Sequence, residues 1–216
     1  MNQQAPPPVQ VAASRNTRYV PFSKFYSWTM MEMMTEPKLA VAPPGTVHEY
    51  YPVVSQIVVL SAFVTEATIN EIAYWLDTHP TFRKPMPNDL FKRNARIREK
   101  WQAVPKASGA PAFDETTPPW TDFNALINLR NVFAHSPAYP PPPEDVLKMM
   151  ERQGLVGRAN DWFESLMTLR TAKWAMKTAL DMPEALRSML LKAGVPVDDP
   201  PHGWVWGPEW HPEGHG

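Results

Sequence analysis

The sequence contains no cysteine. That excludes disulfide staples, thiolate metal sites and thiol nucleophiles, and it fits a reducing cytoplasm. A charge imbalance is also missing: the formal net charge of the 216 residues is -1. No global field draws such a chain to nucleic acid or to an anionic membrane, so any polyanion site must be local. The opening run MNQQAPPPVQVAAS has no basic region followed by an apolar core, so no secretory signal is expected there. Strand signals are absent as well, since no segment sustains apolar–polar alternation between turn dipeptides. No internal repeat is visible. The longest apolar stretch, Val53 to Val64, is interrupted by Ser55, Gln56 and Ser61 and then meets Thr65, Glu66 and Asn70. A transmembrane helix needs about 20 predominantly apolar residues. This stretch therefore predicts a buried helix, and no membrane partner is expected.

Apolar material is plentiful. Hydrophobic residues make up 44% of the chain and aromatics 11%, enough to build a core. Proline is abundant too, with 26 residues, and it interrupts helices because it lacks an N–H and clashes with the preceding turn. The long proline-free windows 53–79, 88–104, 120–136 and 144–182 are thus the expected helices. Residues 1–21 form a proline-rich arm expected to be disordered. Residues 22–45 carry a short aromatic- and methionine-rich helix and a linker. That helix either packs on the core or docks a protein partner, since methionine surfaces adapt. A helical domain spans 46–194, and a Pro/Trp/His-rich tail of irregular structure spans 195–216.

Within the domain, the first long helix runs from about Val47 to Asp77 and is apolar all round in its first half, the mark of a central helix. Glu66 and Asn70 share one face of it. The second helix spans about Asn88 to Val104, with Leu90, Ile97, Trp101 and Val104 facing inward. Seven Lys/Arg and two acids lie between Arg83 and Lys100. Lys92, Arg93, Arg96 and Lys100 then form either a solvated basic face or a track for phosphates. The third helix begins near Thr121 or Asp122 and ends near His135, ahead of an extended proline loop over 137–143. Helices over 144–153 and 161–181 follow. A final one opens at Asp181 with a capping box to Glu184, holds Pro183 in its first turn and stops at Gly194. The tail histidines His202, His211 and His215 are separated by Pro212 and Gly214. No metal site and no cofactor are expected.

The third helix concentrates the chemistry. At 100° per residue, Phe123, Leu126, Ile127, Phe133 and Ala134 make one apolar stripe with Arg130 in its middle. Asn124, Asn128, Asn131 and His135 gather on a flank. A charge inside an apolar face costs several kcal/mol, of order 1–5, unless it is paired. Either Arg130 bonds Glu66 or Glu71 and staples two helices, or it faces an anionic ligand in a cleft or across a second copy of the chain.

Arg130-Asn131-Val132-Phe133-Ala134-His135 resembles the arginine–asparagine–x3–histidine form of the motif of HEPN domains, a helical family with many ribonucleases. The run Glu66-Ala67-Thr68-Ile69-Asn70-Glu71, the basic helix ending in Glu99-Lys100-Trp101 and the later Lys173-Trp174-Ala175 are similar to that family in kind and order, over roughly residues 46–181. The resemblance implies an all-α, HEPN-like bundle of four or more helices. It also implies a homodimer with a composite site and metal-independent endoribonuclease activity, as in a toxin or defence effector. His135 would be the general base or acid, Arg130 would stabilise phosphoryl charge, and Asn131 would position His135 or the phosphate. Glu66, with Asn70, would support Arg130. The competing expectation is a non-catalytic helical module for protein interaction or nucleotide binding.

Overall fold

The central feature follows from an apolar run that no single neighbour can cover. In the computed structural model, Tyr51–Thr78 forms one helix (α2), preceded by α1 (Phe22–Met34). After α2 come a 3-10 turn (Asn88–Phe91), α3 (Ile97–Ala107), α4 (Trp120–His135), α5 (Glu144–Arg152) and α6 (Leu169–Lys192). The structure describes residues 22–34, 51–79, 83–92, 95–135, 144–152, 154–155, 166–195 and 197. Among them there is no strand, so the fold class is all-α as expected. The arm 1–21, the loop 137–143, the tail after Val197 with its histidines, and the start of the first helix before Tyr51 lie outside the described residues.

Helix α2 is the axis of the bundle, with α1, α3, α4 and α6 all packed against it. Ile57, Val58, Val64, Ile69, Ile72 and Leu76 are wholly buried around its circumference. By length and composition Val53–Thr78 would also pass for a membrane span, with a mean hydropathy of 1.5, but half of that window is buried inside the bundle. The methionine-rich α1 lies along its first half. Met30 accepts a hydrogen bond on Sδ from the buried Ser61 hydroxyl at 3.1 Å, and Tyr26 packs on Phe63 with ring centroids 5.7 Å apart. Of the two expectations for this segment, packing on the core is the one described. At the other end of the bundle Trp101, Phe113, Trp120 and Phe123 pack ring against ring, with centroids 5.5 to 6.0 Å apart.

Proline proved a looser ruler than expected. Pro105 lies inside α3 and Pro183 inside α6. An interior proline costs about 3 kcal/mol in lost hydrogen bonding and steric clash. Burial of Met182, Pro183, Leu186 and Leu190 offsets that cost and carries α6 through the proline unbroken. The capping box expected at Asp181 is therefore not formed. Asp181 instead accepts from Lys177 one turn earlier, at 2.7 and 2.9 Å. The start of this helix was misplaced as well. Thr168 caps α6 by accepting from the Thr171 N–H, so α6 starts at Leu169, inside the helix expected over 161–181, whose first residues, 161–165, lie outside the described residues. Its end is as expected. Gly194 adopts φ 75°, and the N–H groups of Gly194 and Val195 return to the carbonyls of Leu191 and Leu190. That reversal requires the left-handed region open to glycine.

The helix expected over Asn88–Val104 is also interrupted. A 3-10 turn holds the first part, and α3 starts only at Ile97, where Glu99 accepts from the Arg96 N–H. Leu90, Trp101 and Val104 are buried as the stripe predicted.

Leu126 on α4 is fully buried in the hydrophobic core. Leu126→Ala should destabilise the protein by about 2–5 kcal/mol, read from denaturant unfolding with an unchanged m-value.

Candidate functional site

Helix α4 enters the core and then leaves it. Phe123, Ala125, Leu126 and Leu129 are almost or wholly inaccessible, and Ile127 nearly so. Phe133 is only half-buried and Ala134 is exposed. The inward face is therefore wider than the predicted stripe at the start of α4 and reduced in its last turn to Phe133, which still packs against the core. Arg130 sits where the change occurs, with 23% of its side chain exposed. Its Nη2 donates to Glu66 Oε2 on α2 at 3.4 Å, and its Nη1 donates to Asn131 Oδ1 at 3.0 Å. The guanidinium also lies over the Phe63 ring, 5.5 Å from the centroid. Its Nε is buried with no acceptor.

The structure thus brings together Arg130, Asn131 and Glu66, three of the residues singled out from sequence. The ion pair is long, and 40% of the Glu66 side chain is exposed, so solvent screens it. His135 closes α4 in the same chain turn, and its side chain lies outside the described residues. Asn70 is not part of this group. It accepts from Lys100 Nζ at 2.7 Å, joining α2 to α3. Lys100 is itself buried, because it falls between Ile97 and Val104 on the inward stripe of α3. It therefore does not share a surface with Lys92 and Arg96, which are exposed. Lys92 lines a shallow concavity with Asp89 and Glu99, which dilute the local positive field. Arg93 lies outside the described residues.

One residue of this region escaped the sequence reading. Arg98 on α3 reaches across to α4. Its Nε donates to Asn124 Oδ1 at 2.6 Å, and its Nη2 donates to Asn128 Oδ1 at 2.7 Å and to the Asn124 carbonyl at 3.2 Å. Burial pushes its pKa below the usual arginine value. The available signal was the pair Asn124 and Asn128, four apart on a half-buried face and in need of donors. The asparagine flank of α4 is consequently split between two arginines, Arg98 for its first half and Arg130 for Asn131.

A second concavity adjoins Arg130. Phe22 and Tyr26 of α1 line one side. Phe63, Glu66, Ala67, Asn70, Glu71 and Tyr74, successive positions on one face of α2, line the other. It encloses about 530 Å³. Among the described residues, no group of three or more His, Asp or Glu side chains is arranged to hold a metal ion. No family model matches this sequence, and neither the curated proteins nor the solved structures provide a match.

Two measurements follow from this geometry. A double-mutant cycle with Glu66→Gln and Arg130→Gln should give a coupling of no more than about 1 kcal/mol, because both partners are solvent-accessible. Arg98→Met should cost more, about 1–3 kcal/mol in denaturant unfolding, because it leaves two asparagine carbonyl oxygens without their charged donor.

Proposed function

We propose that this chain is a HEPN-like helical protein that cleaves RNA without a metal, in the cytoplasm, at Arg130, Asn131 and His135. The observation that carries the proposal is the pairing of Arg130 with Asn131 and Glu66 at the point where α4 leaves the core. A guanidinium is held there in one orientation, yet remains partly open to solvent. In the proposed reaction His135 removes the proton of an RNA 2′-hydroxyl. The 2′-oxygen then attacks the adjacent phosphorus, and the 5′-oxygen departs and takes up a proton. Histidine suits this step because its ordinary pKa lies near neutrality, about 6.5. Arg130 stabilises the charge that gathers on the non-bridging oxygens. Asn131 orients Arg130 or the phosphate. Two motif helices from a homodimer form the composite site, and Lys92 and Arg96 contact the RNA backbone.

A second reading is favoured by the same contacts. Both Nη atoms of Arg130 are occupied within one chain, and its guanidinium rests on Phe63. On that reading Arg130 is a staple between α2 and α4, and the protein is a non-catalytic interaction or nucleotide-binding module.

The two readings separate in one assay: end-labelled single-stranded RNA incubated in EDTA with the parent protein, Arg130→Ala and His135→Ala. The ribonuclease proposal expects cleavage by the parent and a loss of about 10²- to 10⁴-fold in each variant, with helical circular dichroism retained. An inactive parent, or equal cleavage by all three, would establish the staple reading.

A further inference from the structure

We propose that the groove on α1 and α2 is a nucleobase subsite of the Arg130 site, and that it holds a base of the same RNA strand whose phosphate Arg130 meets. The inference rests on the ribonuclease reading for that strand and names the part of the substrate that the groove takes. Phe22 (62% exposed), Tyr74 (57%) and Phe63 (36%) are the exposed large hydrophobic side chains among the described residues, and all three line this groove. Phe22 stands on the α1 wall and Tyr74 on the α2 wall. Exposed rings are stacking platforms for bases, because every base has a π-face. The enclosed 530 Å³ is the size of a small-ligand site, a class that runs from about 300 to about 1,000 Å³.

Continuity with the guanidinium selects a base over other apolar occupants. Phe22 stacks on Tyr26 with ring centroids 6.2 Å apart, Tyr26 packs on Phe63 at 5.7 Å, and Arg130 lies over Phe63 at 5.5 Å. A row of ring contacts therefore runs unbroken from Phe22 to Arg130. A nucleic-acid strand carries the matching pair of chemistries, a flat ring and an anion, in every repeating unit. The polar groups of the groove agree. Its carboxylates are engaged: Glu66 accepts from Arg130, and Glu71 is buried and has a partner. Neither selects a cation. Asn70 remains. Lys100 can only donate, so its bond at 2.7 Å commits the oxygen of the Asn70 amide to α3. The NH2 branch of that amide donates to no described residue, and Asn70 lines the groove. An amide donor beside aromatic rings fits a planar ring with acceptors on its edge, which is the chemistry of a nucleobase.

The test compares the binding of two short fluorescent strands to the full-length protein. One is a single-stranded oligodeoxynucleotide. The other has the same length and phosphates but an abasic sugar at every position. Neither has a 2′-hydroxyl, so the proposed reaction consumes neither. Because their charge is the same, the ratio of their affinities reports on the bases alone. A base subsite predicts a ratio of about 5- to 100-fold, the range that corresponds to one stacked base. Tyr74→Ala and Phe22→Ala, both at exposed positions, should each remove most of that ratio and leave binding of the abasic strand unchanged. Asn70→Asp keeps an acceptor for Lys100 and exchanges the donor on the groove side for an acceptor. It should lower the ratio by about 5-fold or more, with helical circular dichroism retained. Equal binding of the two strands by the parent, no binding of either, or a full ratio in the Tyr74 and Phe22 variants would overturn the inference. Equal binding together with a dimer that Tyr74→Ala dissociates would assign the groove to a second copy instead. The ribonuclease reading fails separately. Base-dependent binding that Tyr74→Ala removes, in a protein that leaves RNA intact in EDTA, retains the subsite and overturns cleavage alone. Cleavage with equal binding of the two strands overturns the subsite alone.

Discussion

Everything in this bundle depends on the need to cover most of α2. A helix that is apolar around most of its circumference must be packed on several sides, and α2 leaves an edge carrying Phe63 and Tyr74 exposed. Four other helices are accordingly arranged about it, and their own faces are fixed by that duty. Helix α6 continues past Pro183 because its inner face belongs to this core. Helix α1 is anchored by methionines that fill the space beside Val54 and Ile57. The candidate site exists at the place where the covering ends, one turn before the close of α4.

Polar contacts then fix the angles between helices that are otherwise held by non-directional burial. Glu66 with Arg130 joins α2 to α4, Asn70 with Lys100 joins α2 to α3, and Arg98 with Asn124 and Asn128 joins α3 to α4. The three links close a triangle. A half-buried charge with a hydrogen-bond partner tolerates little sliding, because a shift strands it without solvent or acceptor. The triangle thus sets the orientation of the α4 turn that presents Arg130 and Asn131.

Much of this was legible in the sequence. The apolar run of α2, the proline stop after α4 and the glycine after α6 each act through neighbouring residues, and each was found where expected. The link between Arg130 and Glu66 could be stated only as one of two possibilities, because a charge on an apolar face demands a partner without naming it. The misplacements have a common physical origin. Pro105, Pro183 and Lys100 are residues whose local preference is overridden by burial contributed from other helices, which a local pattern does not contain. Arg98 was hidden for a related reason: among the seven cations between Arg83 and Lys100, the facing asparagines of α4 single it out.

The order of synthesis gives α2 a further significance. It emerges from the ribosome before α3, α4 and α6, and at about 5–20 residues per second the last of these follows on the order of ten seconds later. Until α3 and α4 follow, α1 is the described helix available to cover it. A nascent apolar helix of 26 residues is long enough to engage a chaperone or a targeting factor. Early pairing with α1 would decide whether the chain stays in water long enough to finish its core.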